Sequence, residues 1–432
     1  MTNYFDTKRK PQRAYAGLVL IGMVIFPFVA ANFGNSWVRM MDMALLYVMM
    51  ALGLNIVVGF AGLLDLGYIA FYALGAYMTA LLASPHFAVM LESIVNSYPA
   101  IGSALISILG PEIVQNGLHL SVWIIVPLGA LLAGVLGALL GIPTLKLRGD
   151  YLAIVTLGFG EVIRLLIHNL SAPINITDGP RGINMIDPIR IFGVSLHGEP
   201  GTNATVHLGN FSMPSVNAYY FLFLALCVAI IFVTVRLQDS RLGRAFVAIR
   251  EDEVAAKAMG INTRDVKLLA FAMGASFGGV AGAMFAAFQG FISPESFTLM
   301  ESIVVLSMVI LGGIGHVPGV ILGAMILALL PEILRHVIEP LQLVLFGQVV
   351  APTEILRQLV LGLAMVMIML TRPAGLWPAP KSEDRPRGAA EQGGARRRGP
   401  PLAVAGGEQA QEVGADEMPM PLIRNTQRPQ HT

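Results

Sequence analysis

Charged side chains are scarce in this chain: Asp, Glu, Lys and Arg together make up 13% of its 432 residues, about half the share of an ordinary soluble domain. The formal net charge is +1, so no strong basic field is available to hold nucleic acid. Cysteine is reduced to Cys227 alone, which excludes an internal disulfide. No G-x-x-x-x-G-K-[ST] loop is present to cradle a nucleotide phosphate. H-E-x-x-H is absent, no Cys/His cluster has zinc spacing, and the histidines are scattered. No Ser-His-Asp arrangement can be argued from residue order. No catalytic residue, metal or cofactor is therefore expected, and the chain does not read as an enzyme. The first apolar run, 14–31, lacks a small-x-small cleavage site and reads as a retained span.

Apolar residues fill the space that charge leaves. They make up 55% of the chain, with 46 glycines and a mean hydropathy of +0.69. A spanning helix needs about 20 mostly apolar residues. The candidate runs are 14–31, 39–59, 65–84, 120–142, 151–169, 218–236, 268–290, 301–312, 319–338 and 354–371. This pattern predicts an all-α, polytopic transmembrane bundle of about 8–10 spans with discontinuous, Gly-rich helix breaks. One break lies between Gly59 and Gly67, the other between Gly312 and Gly319. Backbone groups freed there cannot remain unpaired in hydrocarbon, so both breaks belong at the membrane surface or against protein.

Lys and Arg alternate between loops. Lys8, Arg9, Lys10 and Arg13 precede the first run, and Lys146 and Arg148 follow the fourth. Seven more, from Arg236 to Lys267, lie between the sixth and seventh, and five, from Arg385 to Arg398, follow the last. Residues 85–119 contain none, and 170–217 contain Arg181 and Arg190. By the positive-inside tendency this puts both termini in the cytoplasm. Residues 85–119 suggest a helix on the outer surface. The segment 170–217 reads as a longer outer loop rich in Gly, Pro and Asn. Residues 1–38 comprise an N-terminal cytoplasmic segment and the first span, 39–371 the transmembrane core, and 372–432 a cytoplasmic tail. The tail's composition cannot bury enough apolar surface to offset ordering entropy, so it is expected to be disordered.

Ionisable residues inside spans are costly and are functional candidates. Asp65 sits at the first break, where it either lines a pathway or caps the following helix. Glu161 and Arg164 are three apart and share a helix face. They either pair structurally or meet the charged ends of a zwitterion. Asn55 and Thr156 either hydrogen-bond between helices or line the pathway.

The stretch 237–267 is the most informative. Leu242, Ala245, Phe246 and Ile249 recur at helical spacing. Asp252 precedes a second short helix, Glu253 to Met259, and Gly260 suits a left-handed helix stop. This segment resembles the coupling loop of ABC-importer permeases, with Ala255, Ala256 and Gly260 matching the A-A-x-x-x-G part of its E-A-A-x-x-x-G signature. Val254 stands where that signature has glutamate, and Glu253 lies one residue earlier. The wider string from Arg244 through Arg250, Glu251, Asp252 and Glu253 to Phe271 is similar to the branched-chain amino-acid permeases, on the LivM-type side. So are Gly53–Gly67, Leu147–Glu161 continuing through Thr177-Asp178-Gly179-Pro180-Arg181-Gly182, and Leu311–Gly315 with Pro318-Gly319.

The resemblance implies a multi-pass permease of the cell inner membrane, surrounded by lipid. It also implies a second, LivH-type permease, two cytoplasmic ATP-binding subunits and a periplasmic amino-acid-binding protein as partners. The segment around Arg244–Gly260 would meet the ATPases. Thr177, Asp178, Gly179, Pro180 and Gly182 would meet the binding protein, or form a rigid turn. Rival readings are an ABC permease for urea or another small amide, and an ion-coupled secondary transporter. The latter shares broken helices and midplane charges but has no use for a docking helix.

Overall fold

The computed structural model describes residues 17–377, apart from 18, 31–33, 111–112, 114–115, 145–146, 148, 192, 198–204, 209–210, 347–351 and 373–374. The expectations for the first residues and for the tail beyond 377 lie outside the described residues, as do Lys146 and Arg148.

Every apolar run picked out above contains a helix. In chain order these are α1 (Val19–Ala30), α2 (Asn35–Leu54) and α3 (Ile69–Leu82). Then come α4 (His86–Ser97), α5 (Pro99–Leu109), α6 (Val122–Thr144), α7 (Asp150–Asn169) and α8 (Ser215–Asp239). Two short helices follow, α9 (Arg241–Glu251) and α10 (Glu253–Ala258), and then α11 (Thr263–Gln289), α12 (Leu299–Gly312), α13 (Val317–Phe346) and α14 (Thr353–Thr371). Among the described residues, 7 helices are long and apolar enough to cross a membrane, or 8 if the bent pair α3–α4 counts as one span. That pair bends by 81°. The single outer helix suggested for 85–119 is two, α4 and α5, with Pro99 opening the second.

Hydrocarbon supplies no hydrophobic force between helices, so close van der Waals approach must hold them together. Here α3, α6 and α11 meet through small residues. A side chain at Gly75 of α3 would run into the backbone of Gly279 on α11, and one at Gly282 into the Tyr72 carbonyl. The α6 backbone at Gly129 closes on Gly279 from the other side. The α2 helix is the most enclosed span and α7 the least.

At one end of the bundle the connecting segments interlock. Leu120 N donates to Leu82 O at 2.9 Å, and Asp187 N to Ala83 O at 2.6 Å. Short antiparallel pairs satisfy backbone groups in the stretch expected to be loop: Ile183–Asn184 with Phe291–Ile292, Arg190–Ile191 with Val194–Ser195, and Thr205–Leu208 with Phe211–Pro214. His119 Nδ1 lies 2.6 Å from Asp187 Oδ2, and its Nε2 lies 2.6 Å from Asn116 O. Both neighbours accept only, so the imidazolium, with two donors, fits this seat. The Asp187 hydrogen bond raises the His119 pKa above its ordinary 6.5.

Gly75→Val should lower the melting temperature of the purified protein, with a cost of about 3 kcal/mol from overpacking. Gly158→Ala, which enters open space on α7, should leave it unchanged or raise it. The His119 seat gives a second expectation. A raised folded pKa means its stabilisation is complete below about pH 6.5 and is lost as pH rises through the folded value. Melting followed from pH 6 to 9 should show that loss, and His119→Gln should flatten it.

Candidate coupling and pathway site

Chain geometry brings the two glycine-rich breaks together. Helix α2 runs without interruption into a π-helical turn, Asn55–Phe60, that is wholly buried. The wide turn continues with Ala61 N to Ile56 O at 3.2 Å and Leu63 N to Val57 O at 3.1 Å. The Asn55 side chain crosses to the second break, where its Oδ1 accepts from Gly315 N at 2.9 Å. Gly59 O, a carbonyl that the broken helix leaves over, accepts from Arg250 Nη1 at 2.6 Å. The carbonyls that end α12 are paired as well: Leu376 N donates to Leu311 O at 2.7 Å and Trp377 N to Gly312 O at 3.2 Å. His316 Nδ1 lies 2.9 Å from Trp377 O.

Past the first break the chain enters α3 beside the middle of α7. The exposed amides of this entry each find an oxygen. Leu66 N donates to Thr156 Oγ1 at 3.0 Å, Gly67 N to Asp65 Oδ1 at 2.9 Å, and Ile69 N to Ser302 Oγ at 3.1 Å. Thr156 in turn donates to Ala153 O at 3.1 Å. Asp65 is 2% exposed, and its Oδ2 meets no hydrogen-bond geometry with any of the described residues. Asn55, Asp65 and Thr156 therefore hold backbone.

Glu161 and Arg164 differ from these three. They form a bidentate pair, Nε to Oε1 at 3.0 Å and to Oε2 at 3.1 Å, and their side chains remain 40% and 23% exposed. Glu161 borders a small pocket with Leu66, Ile69, Leu157, Phe297 and Leu299. The pocket's free space is about 10 Å³, room for little more than a water, and Glu161 and Arg164 are already paired, so an aliphatic zwitterion would fit only after the pocket widens and the pair parts.

Two helices at the opposite end from His119 carry the 237–267 stretch. Ser240 caps α9 by accepting from Gly243 N at 3.1 Å. Its inner face is Gly243, Phe246 and Ile249, while Leu242 stands 40% exposed. The close contact at the start of the helix is made by Gly243, which lies against the carbonyls of Leu237 and Gln238, and not by Leu242. Asp252 Oδ1 caps α10, accepting from Val254 N at 2.8 Å and Ala255 N at 3.0 Å. Gly260, at φ +85, ends it, with Ile261 N bonding back to Ala256 O at 3.1 Å, a Schellman-type stop. Ala256 is buried, and Glu253 Oε1 meets Lys267 Nζ of α11 at 2.6 Å. On the outward side, Val254 is 69% and Met259 83% exposed, with Ala255 beside them. Glu251 and Arg244 point outward too, bonding locally to Arg250 and to Asp239 O.

The stretch 177–182 is tied to the end of α7 and to its chain neighbours. Thr177 is buried and donates to Ile167 O at 2.6 Å; Asp178 N donates to Asn175 Oδ1 at 2.9 Å. Gly179 and Gly182 both have positive φ, and Gly182 lies against the Ile292 carbonyl. Pro180 is exposed.

Asp42 and Glu301 are among the intramembrane acids that the sequence reading passed over. Asp42 of α2 is fully buried and neither oxygen has a hydrogen-bond partner among the described residues. Glu301 of α12 accepts from Tyr47 at 3.0 Å. Each falls within an apolar run, so the rule that singled out Asp65 applies equally to them.

A helical bundle with paired breaks and a capped helical elbow at one end is the architecture of a membrane permease. The chain belongs to the family of permease components of the branched-chain amino acid transport system, whose pattern matches residues 36–369. It is 37% identical over 394 residues to the high-affinity branched-chain amino acid transport system permease protein LivM of Escherichia coli K12, covering 90% of this chain and 80% of that one. The probable LivM of Methanocaldococcus jannaschii is 27% identical, covering 77% of this chain and 90% of its own length. The E. coli LivH permease is 34% identical over 123 residues, 28% of this chain and 40% of its own. No solved structure matches the chain.

Thr156→Val strips the Leu66 amide of its acceptor in a buried place, which costs about 1–3 kcal/mol. A melting-temperature drop of that size is expected, with Thr156→Ser close to the parent.

Proposed function

We propose that this chain is the membrane permease subunit of an ATP-driven importer of leucine, isoleucine and valine in the cell inner membrane, with both termini in the cytoplasm. It forms the translocation pathway with a LivH-type second permease. Two ATP-binding subunits push on its 237–267 segment, and a periplasmic amino-acid-binding protein delivers substrate at the end where α4, α5 and the 170–217 segment lie. The chain itself supplies a pathway and a lever and performs no catalysis. The family similarity runs to amino-acid permeases and leaves the amide-permease and ion-coupled readings without support.

The observation that carries this reading is the asymmetry of α10. Its inner side is fastened by buried Ala256 and by the Glu253–Lys267 pair. Its outer side presents Val254 and Met259 to water at a basic end of the bundle. A short, rigidly capped helix with an unpartnered apolar face is suited to a groove on another protein. Arg244, Glu251 and Asp252 frame it, and Ala255 and Gly260 keep it slim enough to insert. Within the pathway, Glu161 and Arg164 meet the ammonium and carboxylate of the substrate beside the Leu66–Ile69–Leu157 wall. Asn55, Asp65 and Thr156 shape the same passage by holding its backbone. Pro180 is the exposed point of the 177–182 turn offered to the binding protein.

Proteoliposomes holding this chain, a LivH-type permease, two ATPases and the binding protein should take up leucine only with ATP inside the ATPase-bearing compartment. Ala256→Trp with Gly260→Val should abolish that uptake while leaving membrane insertion intact. Wild-type uptake by this double variant would remove the lever. Because Cys227 is buried, Met259→Cys offers a clean test of sidedness. An impermeant maleimide should label it in inverted vesicles and not in intact cells; the reverse would invert the orientation.

A further inference from the structure

Unlike Arg244 and Glu251, Arg250 reaches the helix breaks: its side chain stays 34% exposed, but its guanidinium lies on the first break. Its Nη1 donates to Gly59 O at 2.6 Å. Its Cγ occupies the space where a side chain at Gly62 would stand, 2.5 Å from that Cβ position, and its Nη1 lies 2.8 Å from the corresponding position at Gly315. Gly62 and Gly315 have φ of +70 and +81, so both sites lack a side chain for conformational reasons and the arginine fills the resulting slot. Gly315 N is in turn held by Asn55 Oδ1 at 2.9 Å, one π turn before Gly59. The first break, the second break and α9 thus converge on one guanidinium. At its outer edge Nη2 reaches Glu251 at 3.4 Å.

We infer that Arg250 is a positioning residue for transport, the strut through which movement of the α9–α10 elbow reaches both helix breaks. This rests on the importer reading above and deepens it. The chemistry suits the task. A carbonyl at a helix C-terminus carries partial negative charge, and a guanidinium is always charged, planar and a donor only. A charge-assisted bond of this kind is shorter and stronger than a neutral one. Arg250 also lies two residues before Asp252, whose carboxylate caps α10. A push on α10 therefore passes through a capped, rigid corner straight to the arginine. Withdrawal of the guanidinium would leave Gly59 O unpaired and remove the body that separates Gly62 from Gly315. The two breaks would then be free to rearrange, which is what a pathway needs to open at this end.

The test is leucine moved per ATP hydrolysed in proteoliposomes containing the complete assembly. Arg250→Ala should lower that ratio about tenfold or more, the factor corresponding to loss of a charged hydrogen bond. Arg250→Lys, which keeps the charge and part of the reach, should recover a measurable share. The melting temperature and recovery of the assembly should separate this effect from simple unfolding. If the alanine variant does not assemble, the lysine variant alone decides: it should assemble and show a severalfold lower ratio. A wild-type ratio in whichever variant assembles would overturn the proposal while leaving the importer intact. A wild-type assembly that burns ATP without moving leucine would overturn the importer reading, and this proposal with it.

Discussion

In a bilayer, a helix that stops part-way leaves amides and carbonyls that water cannot reach, and each must find a protein partner. Much of this molecule's organisation follows from meeting that demand at two places. The π turn after Leu54 leaves Gly59 O to Arg250, and the second break leaves Gly315 N to Asn55. The delayed start of α3 leaves its amides to Asp65, Thr156 and Ser302. The end of α12 is paired by a chain segment more than sixty residues further on, at Leu376 and Trp377. Because the partners come from distant elements, satisfying the breaks also ties those elements together.

The rest of the bundle works by the opposite principle. Helices α3, α6 and α11 approach so closely at Gly75, Gly129, Gly279 and Gly282 that little rearrangement is possible without overlap. A rigid block therefore sits beside a region held mainly by side-chain hydrogen bonds to backbone. That division suits a permease. In the proposed mechanism the block would keep the pathway wall and the hydrogen-bonded breaks would be the part that rearranges. Membership of the branched-chain amino acid permease family agrees with this arrangement, and α10 keeps Val254 and Met259 exposed beside the first break's arginine.

Some of this was legible in residue order. The apolar runs, their breaks, the capped elbow ending at Gly260 and the candidates Asp65, Glu161 and Arg164 all follow from hydropathy, spacing and turn chemistry. Asn55 and Thr156 were recognisable as polar residues in apolar runs, but which backbone they would hold was not, because their partners lie 260 and 90 positions away. In residue order Arg250 belongs to the segment that would meet the ATPases, and nothing there marks it for the helix breaks. Its reach to them depends on how α9 sits against the π turn, and no local pattern encodes that. Glu253 is similar: its partner Lys267 is visible in the sequence, but their contact requires α10 to fold back on α11.

Composition and period alone determined that the chain crosses a membrane many times, where its helices lie and which loops are basic, since those depend on transfer free energy and the 3.6-residue repeat. Tertiary structure decided which two breaks meet, which glycines are packing surfaces and which vacate space for an arginine. Those outcomes depend on the approach of segments hundreds of residues apart, and a linear pattern carries distance along the chain but not across it.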